Sequence, residues 1–356
     1  MRLLAIISLT FGTIAALTAA EPPKTPPVPT PVTFTKPGAV LGEVGTELSK
    51  QSKVPIALPP QLLKAKCGAT FDKVPFWDAV QRTADAAGAR VALSEGGRKV
   101  EFLPRGNSKE VATTSGAFRV VAQQVTGRAL LDSGATFYDV GLLVHWEPRL
   151  RVYRIDTAPR ITKVADDIGT KIAAPGGGAQ VLPASATTEL KVRLEGIPRK
   201  AERLTTLSGE FAVTVAEKLL TFTFAAPGGK LPEAQKQLGV SAALKRVQKK
   251  GDTWEVVVEV NYPPGQPAFE SFQGEWWLRD NRLRLRSPEG KTVALDDYEI
   301  PSPDRSNPLV VIHRFKEDAT AGFGNPTANG WELVYETPAP LVDTTIPFEL
   351  KNVPLP

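Results

Sequence analysis

Two rhythms of hydrophobic and polar residues divide this chain. Up to about residue 104 the pattern is mixed. Val32-Thr33-Phe34-Thr35 is a short strand, and Val40, Leu41, Val44 and Leu48 then fall on one face of a helix, with Pro37 suited to its first turn. Ile56-Ala57-Leu58 between prolines and Cys67 to Phe71 predict two more strands. Pro75 opens a second helix, with Phe76, Val80 and Ala84 at four-residue steps and Gly88 near its end. Arg90 to Ser94 and Val100 to Leu103 flank Gly96-Gly97 as a hairpin. The predicted order is β-α-β-β-α-β-β, a small α+β unit over residues 32–106 with its helices on one side of a sheet.

From about residue 113 the period falls to two. Tyr138, Val140, Leu142, Val144 and Trp146 alternate down one strand; Leu190, Val192 and Leu194 alternate against Glu189, Lys191, Arg193 and Glu195. Phe211, Val213 and Val215 continue the pattern, as do Leu220, Phe222 and Phe224. After a break near Pro227-Gly228-Gly229 it returns in Trp254, Val256, Val258, Val260 and Tyr262. Leu283 and Leu285, then Leu309, Val311, His313 and Phe315, then Trp331, Leu333 and Tyr335, and last Ile346, Phe348 and Leu350 complete it. Many short alternating strands between Gly, Pro and Asp turns predict two tandem antiparallel β-sandwiches, over 113–227 and 238–356. The fold class expected is mainly β with a small N-terminal α+β domain.

The first 31 residues stand outside both rhythms. Arg2 followed by the uncharged run Leu3 to Leu17 and the small residues Thr18-Ala19-Ala20 reads as a secretory signal peptide over 1–20. Residues 21–31 carry six prolines, which favours extended chain and predicts a linker. An exported protein, periplasmic or extracellular, is the expectation, with no membrane span once the signal is cleaved. The 356 residues include a single cysteine, Cys67, so packing rather than disulfides must hold the fold. A small excess of Lys+Arg (43) over Asp+Glu (38) assists contact with anionic surfaces but is far from a nucleic-acid-binding signature.

The strand Val32-Thr33-Phe34, the helix ending Leu48-Ser49-Lys50-Gln51-Ser52, the segment Val54-Pro55-Ile56-Ala57-Leu58 and the run from Ala69 to Val80 through Val74-Pro75 together resemble the short N-terminal domain shared by secretins and TonB-dependent transducers. The resemblance covers about residues 32–104. It implies a protein-contact module of the bacterial envelope, with an envelope protein as partner and no catalytic residue.

Candidate chemistry is sparse. Ala129-Leu130-Leu131-Asp132-Ser133-Gly134-Ala135 resembles the active-site turn of retroviral-type aspartic peptidases, in which Asp132 would share a proton with the Asp132 of a second copy. The same residues are also default turn formers between two strands, and that reading is preferred. Trp276-Trp277, followed by Arg282, Arg284 and Arg286 at steps of two, offers an aromatic platform beside a basic face, suited to an anionic polysaccharide; the plainer account is a solvated strand face. Arg149, Arg151 and Arg154 admit the same two readings. His145 and His313 lack spaced partners for a zinc site or a Ser-His-Asp arrangement and are read as structural. Asp166-Asp167 and Asp296-Asp297 near Glu299 lack the spacing of a calcium loop. No metal and no cofactor are expected. The sequence therefore predicts an exported, non-catalytic interaction or structural module, with an anionic-polymer binder and an Asp132 peptidase as alternatives.

Overall fold

The computed structural model describes residues 26–106, 110–134, 136–216, 218–225, 230–263, 281–293, 297–301, 308–318, 323, 325–328, 330–338 and 341–356. The fold is mainly β, with three separate hydrophobic cores.

The N-terminal unit runs β1 (Pro31–Phe34), α1 (Leu41–Ser52), β2 (Ile56–Ala57), a one-turn α2 (Pro60–Leu63), β3 (Phe71–Pro75), α3 (Phe76–Ala86), β4 (Ala89–Ser94) and β5 (Lys99–Pro104). Helix α1 buries Leu41, Val44 and Leu48, the face its spacing predicts. Glu43, itself paired with Lys36 (2.6 Å), accepts the Val40 N–H (3.3 Å) at the helix start, and Lys53 in a left-handed conformation ends it. Near its end, Gln51 accepts the Thr33 N–H (2.9 Å) and donates to the Thr33 carbonyl (2.8 Å), standing in for a strand beside β1. Two expectations are corrected. The strand placed at Cys67 to Phe71 instead begins at Phe71, because β1 pairs with Phe71–Pro75, while Cys67 is buried in the core before it. The strands also form two sheets, β1-β3 and β2-β5-β4, the β2–β5 pair being parallel.

The first sandwich comprises β6 (Val111–Ser115), β7 (Phe118–Ala129), β8 (Thr136–Trp146), β9 (Arg151–Asp156), β10 (Arg160–Asp166), β11 (Gln180–Val181), β12 (Thr187–Glu195) and β13 (Arg203–Ala216). One sheet has the order β12-β8-β7-β6 and the other β10-β13-β9-β11. The stripe Tyr138, Val140, Leu142, Val144 and Trp146 is buried throughout, and Phe118 meets Phe211 edge-on at 6.2 Å across the core.

The second sandwich comprises β14 (Leu219–Ala225), β15 (Gln235–Gln237), β16 (Val240–Lys250), β17 (Thr253–Asn261), β18 (Arg282–Arg286), β19 (Thr292–Val293), β20 (Asp297–Glu299), β21 (Leu309–Lys316) and β22 (Glu332–Pro338). Its sheets are β14-β22-β18-β19 and β15-β16-β17-β21-β20, and both contribute to one core. In that core the Tyr335 and Thr337 hydroxyls donate to Asn281 Oδ1 (2.7 and 2.6 Å), and the Tyr262 hydroxyl bonds both Asn281 and Thr337 (3.2 and 2.7 Å). Tyr262 and Asn281 are thereby tied together although eighteen residues separate them in sequence.

The last strand, β23 (Leu341–Pro354), leaves this second core after Leu341. It pairs with β13 from Ala216↔Leu341 to Arg203↔Pro354 and sends Ile346, Phe348, Leu350 and Val353 into the first core. Conversely β14, which lies before residue 227, pairs with β22 and packs Phe222 and Phe224 into the second core. Sheet membership thus departs from a division at 227–238. The second sandwich is inserted between two adjacent strands of the first.

The expected linker is corrected too. Residues 26–30 lie on the first sandwich, and Pro31 already belongs to β1. Glu147, 1% exposed, accepts the Thr30 N–H (2.8 Å) and hydroxyl (2.5 Å). Arg149 pairs with Glu147 (2.6 Å) and donates to the Thr30 hydroxyl (2.7 Å) and the Val28 carbonyl.

Candidate binding surfaces

The outer face of α3 packs against the β8-β7-β6 sheet. Trp77 lies 6.0 Å ring to ring from His145, Thr114 donates to Asp78, and Arg119 donates to Gln81 (2.9 Å) and Glu110 (2.5 Å). Arg119 and His145 are buried there, and burial, reinforced by the Arg119 charge, lowers the His145 pKa to about 3. His313 on β21 is buried against Tyr335, and burial likewise lowers its pKa to about 3. Both imidazoles are therefore neutral at physiological pH and sealed from solvent. The sequence pattern put His145 on the non-core face of β8. What covers that face is α3, a contact no local period encodes.

The Asp132 turn closes the β7–β8 hairpin. The strands keep register from Phe118↔Trp146 to Ala129↔Thr136, with one bulge between Ala122 and Gln124. Beyond the bulge β7 is largely exposed, whereas β8 stays paired with β12 as far as Phe137 and buries Tyr138 and Val140, so what extends past the sheet is the turn at 130–134. Gly127 sits opposite Tyr138, whose ring a Cβ at that position would approach to 3.1 Å. At the end, Leu130 is 47% and Leu131 95% exposed, and Asp132 accepts the Ser133 N–H (2.8 Å). That carboxylate is doing what turn aspartates do, holding the chain reversal.

The arginine ladder on β18 is only partly a basic face. Pairing with β22 sets glutamates beside it: Arg284 reaches Glu336 (2.9 Å), and Arg286 donates to Glu332 (2.6 Å). Cross-strand carboxylates thus pair with Arg284 and Arg286 of the expected grip. Arg282 lines a cleft where the three units meet. Trp276 and Trp277 lie outside the described residues. Of the second arginine group, Arg149 belongs to the clamp on Thr30, Arg154 pairs with Asp343 (3.3 Å), and Arg151 lines the same cleft as Arg282.

Asp166 accepts the Ile168 and Thr170 N–H groups (3.2 and 2.9 Å), and Asp297 and Glu299 both pair with Arg314. Asp296 lies outside the described residues. Among the described residues no group of three or more His, Cys, Asp or Glu is placed to hold a metal ion, and no helix is long and apolar enough to cross a membrane. Sequence reasoning missed Glu147 and Arg119, whose burial depends on the docked N-terminal unit. Neither protein-family models nor curated proteins give a match to this chain.

Proposed function

We propose that this chain is an exported, non-catalytic protein of the bacterial cell envelope that binds another protein through the turn that closes the β7–β8 hairpin. The observation that carries this reading is the end of that hairpin: Leu131 at 95% exposure beside the half-exposed Leu130, on a turn whose β8 strand is rooted in the first core. Apolar side chains held out on a rooted hairpin are stabilised by burial against a partner, at about 1.5–3 kcal/mol for a fully buried leucine. The leader-like first 20 residues support export, and the resemblance of residues 32–104 to an envelope contact domain supports the compartment. The α3 face of that domain is occupied within the chain, and among the described residues Leu131 is the most exposed of the large apolar side chains. A photo-crosslinking residue at position 131, with another at Lys245 on the second sandwich as control, tests this in a producing bacterium. A discrete adduct from position 131, absent from position 245 and abolished by Leu130→Asp, is expected. Equal adducts from both positions, or none, would defeat the reading, and protein retained in the cytoplasm would defeat its export component.

A further inference from the structure

Three arginines from three units line one cleft of about 570 Å³. Arg98 comes from the β4–β5 hairpin, Arg151 from the start of β9 and Arg282 from the start of β18. The carboxylate in the lining, Glu95, is engaged by Lys99 (3.3 Å), and Arg98 Nε donates to the Glu95 carbonyl (3.1 Å). Among the described residues no carboxylate lies within ion-pair distance of Arg98 or Arg151. The local charge is therefore positive. The exposed lining is more polar than apolar, and half-buried Pro148, Leu182 and Pro183 interrupt it with apolar surface.

The wall carrying Arg98 is held in place by close backbone approach. Gly96 and Gly97 have φ of 67° and 83°, which brings the hairpin onto the segment before β12. There the Ala186 N–H donates to the Gly96 carbonyl (3.3 Å), and the Trp146 N–H to the Ala186 carbonyl (3.3 Å). A Cβ on Gly97 would lie 2.6 Å from the Ala186 nitrogen, so only glycine fits. The cleft exists because the N-terminal unit is docked.

We propose that this cleft binds a segment of acidic oligosaccharide. Guanidinium groups match carboxylate oxygens in a planar, two-point geometry, and Pro148, Leu182 and Pro183 suit the C–H faces of sugar rings. A bare polyphosphate has no such faces, which is why these three side chains within a largely polar lining favour a saccharide. The arginines are solvent-exposed, so the attraction is screened and binding weakens as salt rises. This site is separate from the hairpin turn: β8 runs from one to the other, and its eleven residues span about 35 Å at ~3.3 Å each. Failure of either assignment leaves the other standing.

Titration calorimetry on the full chain at low ionic strength tests the proposal with a hexameric uronic-acid oligosaccharide, its neutral counterpart and inorganic polyphosphate. Saturable binding of the uronate is expected, weakened at least about tenfold in the Arg98→Ala/Arg151→Ala double variant and unchanged in Arg286→Ala, whose guanidinium is already paired with Glu332. Both substituted arginines are exposed, and an unchanged thermal midpoint confirms that the double variant is folded. Absence of saturation with the uronate, equal affinity for the neutral sugar, tighter binding of polyphosphate, or full affinity in the double variant would each overturn it.

Discussion

The two sandwiches are built from the same kind of strand yet close in different ways. The second draws its two sheets from one continuous stretch, Leu219 to Pro338, and seals its core with Phe222, Phe224, Trp254 and Tyr335. The first is incomplete until the last strand of the chain returns, lays β23 along the whole of β13 and adds Ile346 and Phe348 to the core. It is also covered on one outer face by α3 and clamped to residues 28–30 through Glu147 and Arg149. The lesson is that the first sandwich is the assembly point of the molecule. It holds the N-terminal unit on one side and carries the second sandwich as an insertion between β13 and β23.

The largest expected effect comes from breaking that asymmetry outright. Removing residues 341–356 strips four buried apolar side chains from the first core. At about 1.5–3 kcal/mol each this approaches the ~5–15 kcal/mol stability of a whole domain. Limited proteolysis should show the first sandwich degraded while a fragment near 219–338 resists. Co-loss of both would show that the inserted sandwich depends on its host. A smaller cut sharpens the same contrast: Phe348→Ala and Phe222→Ala should each cost about 3–5 kcal/mol, the first lowering the midpoint of the host sandwich and the second that of the insert, followed by domain-resolved hydrogen exchange.

Acid should touch both regions through their histidines. A folded-state pKa near 3 against an ordinary value of 6.5 means the native state favours neutral imidazole. The stabilisation is present above about pH 6.5 and is lost as pH falls from there toward 3. At pH 5 each histidine should cost roughly 2 kcal/mol relative to neutral pH. His145→Gln should flatten the acid slope of the unit that holds α3, and His313→Gln that of the insert. Unaltered slopes would mean the imidazoles are more solvated than their burial implies.

Much of the architecture can be read from local patterning. Alternation at Tyr138 to Trp146 and at Trp254 to Tyr262 is the pleat of a strand with one face in a core, and all of those inward residues are buried. The helix faces of α1 and α3 follow from four-residue spacing in the same way. The strand near Cys67 was displaced because burial alone does not distinguish a strand residue from a loop residue packed under a helix. The candidate site was less legible. Arg282 to Arg286 read as one basic face until pairing set Glu332 and Glu336 beside Arg286 and Arg284, and nothing local joins Arg98 to Arg151.

What this sequence determined by itself is the kind of each element and which of its faces is apolar, because those depend on the backbone repeat within a few residues. Which strand lies beside which was decided only in three dimensions. Any alternating strand offers the same backbone donors and acceptors to any other, so the choice of β23 over a nearer partner for β13, and of α3 as the cover for His145, rests on how side chains more than a hundred residues apart fill one volume in the first case and on a unit-to-unit contact in the second.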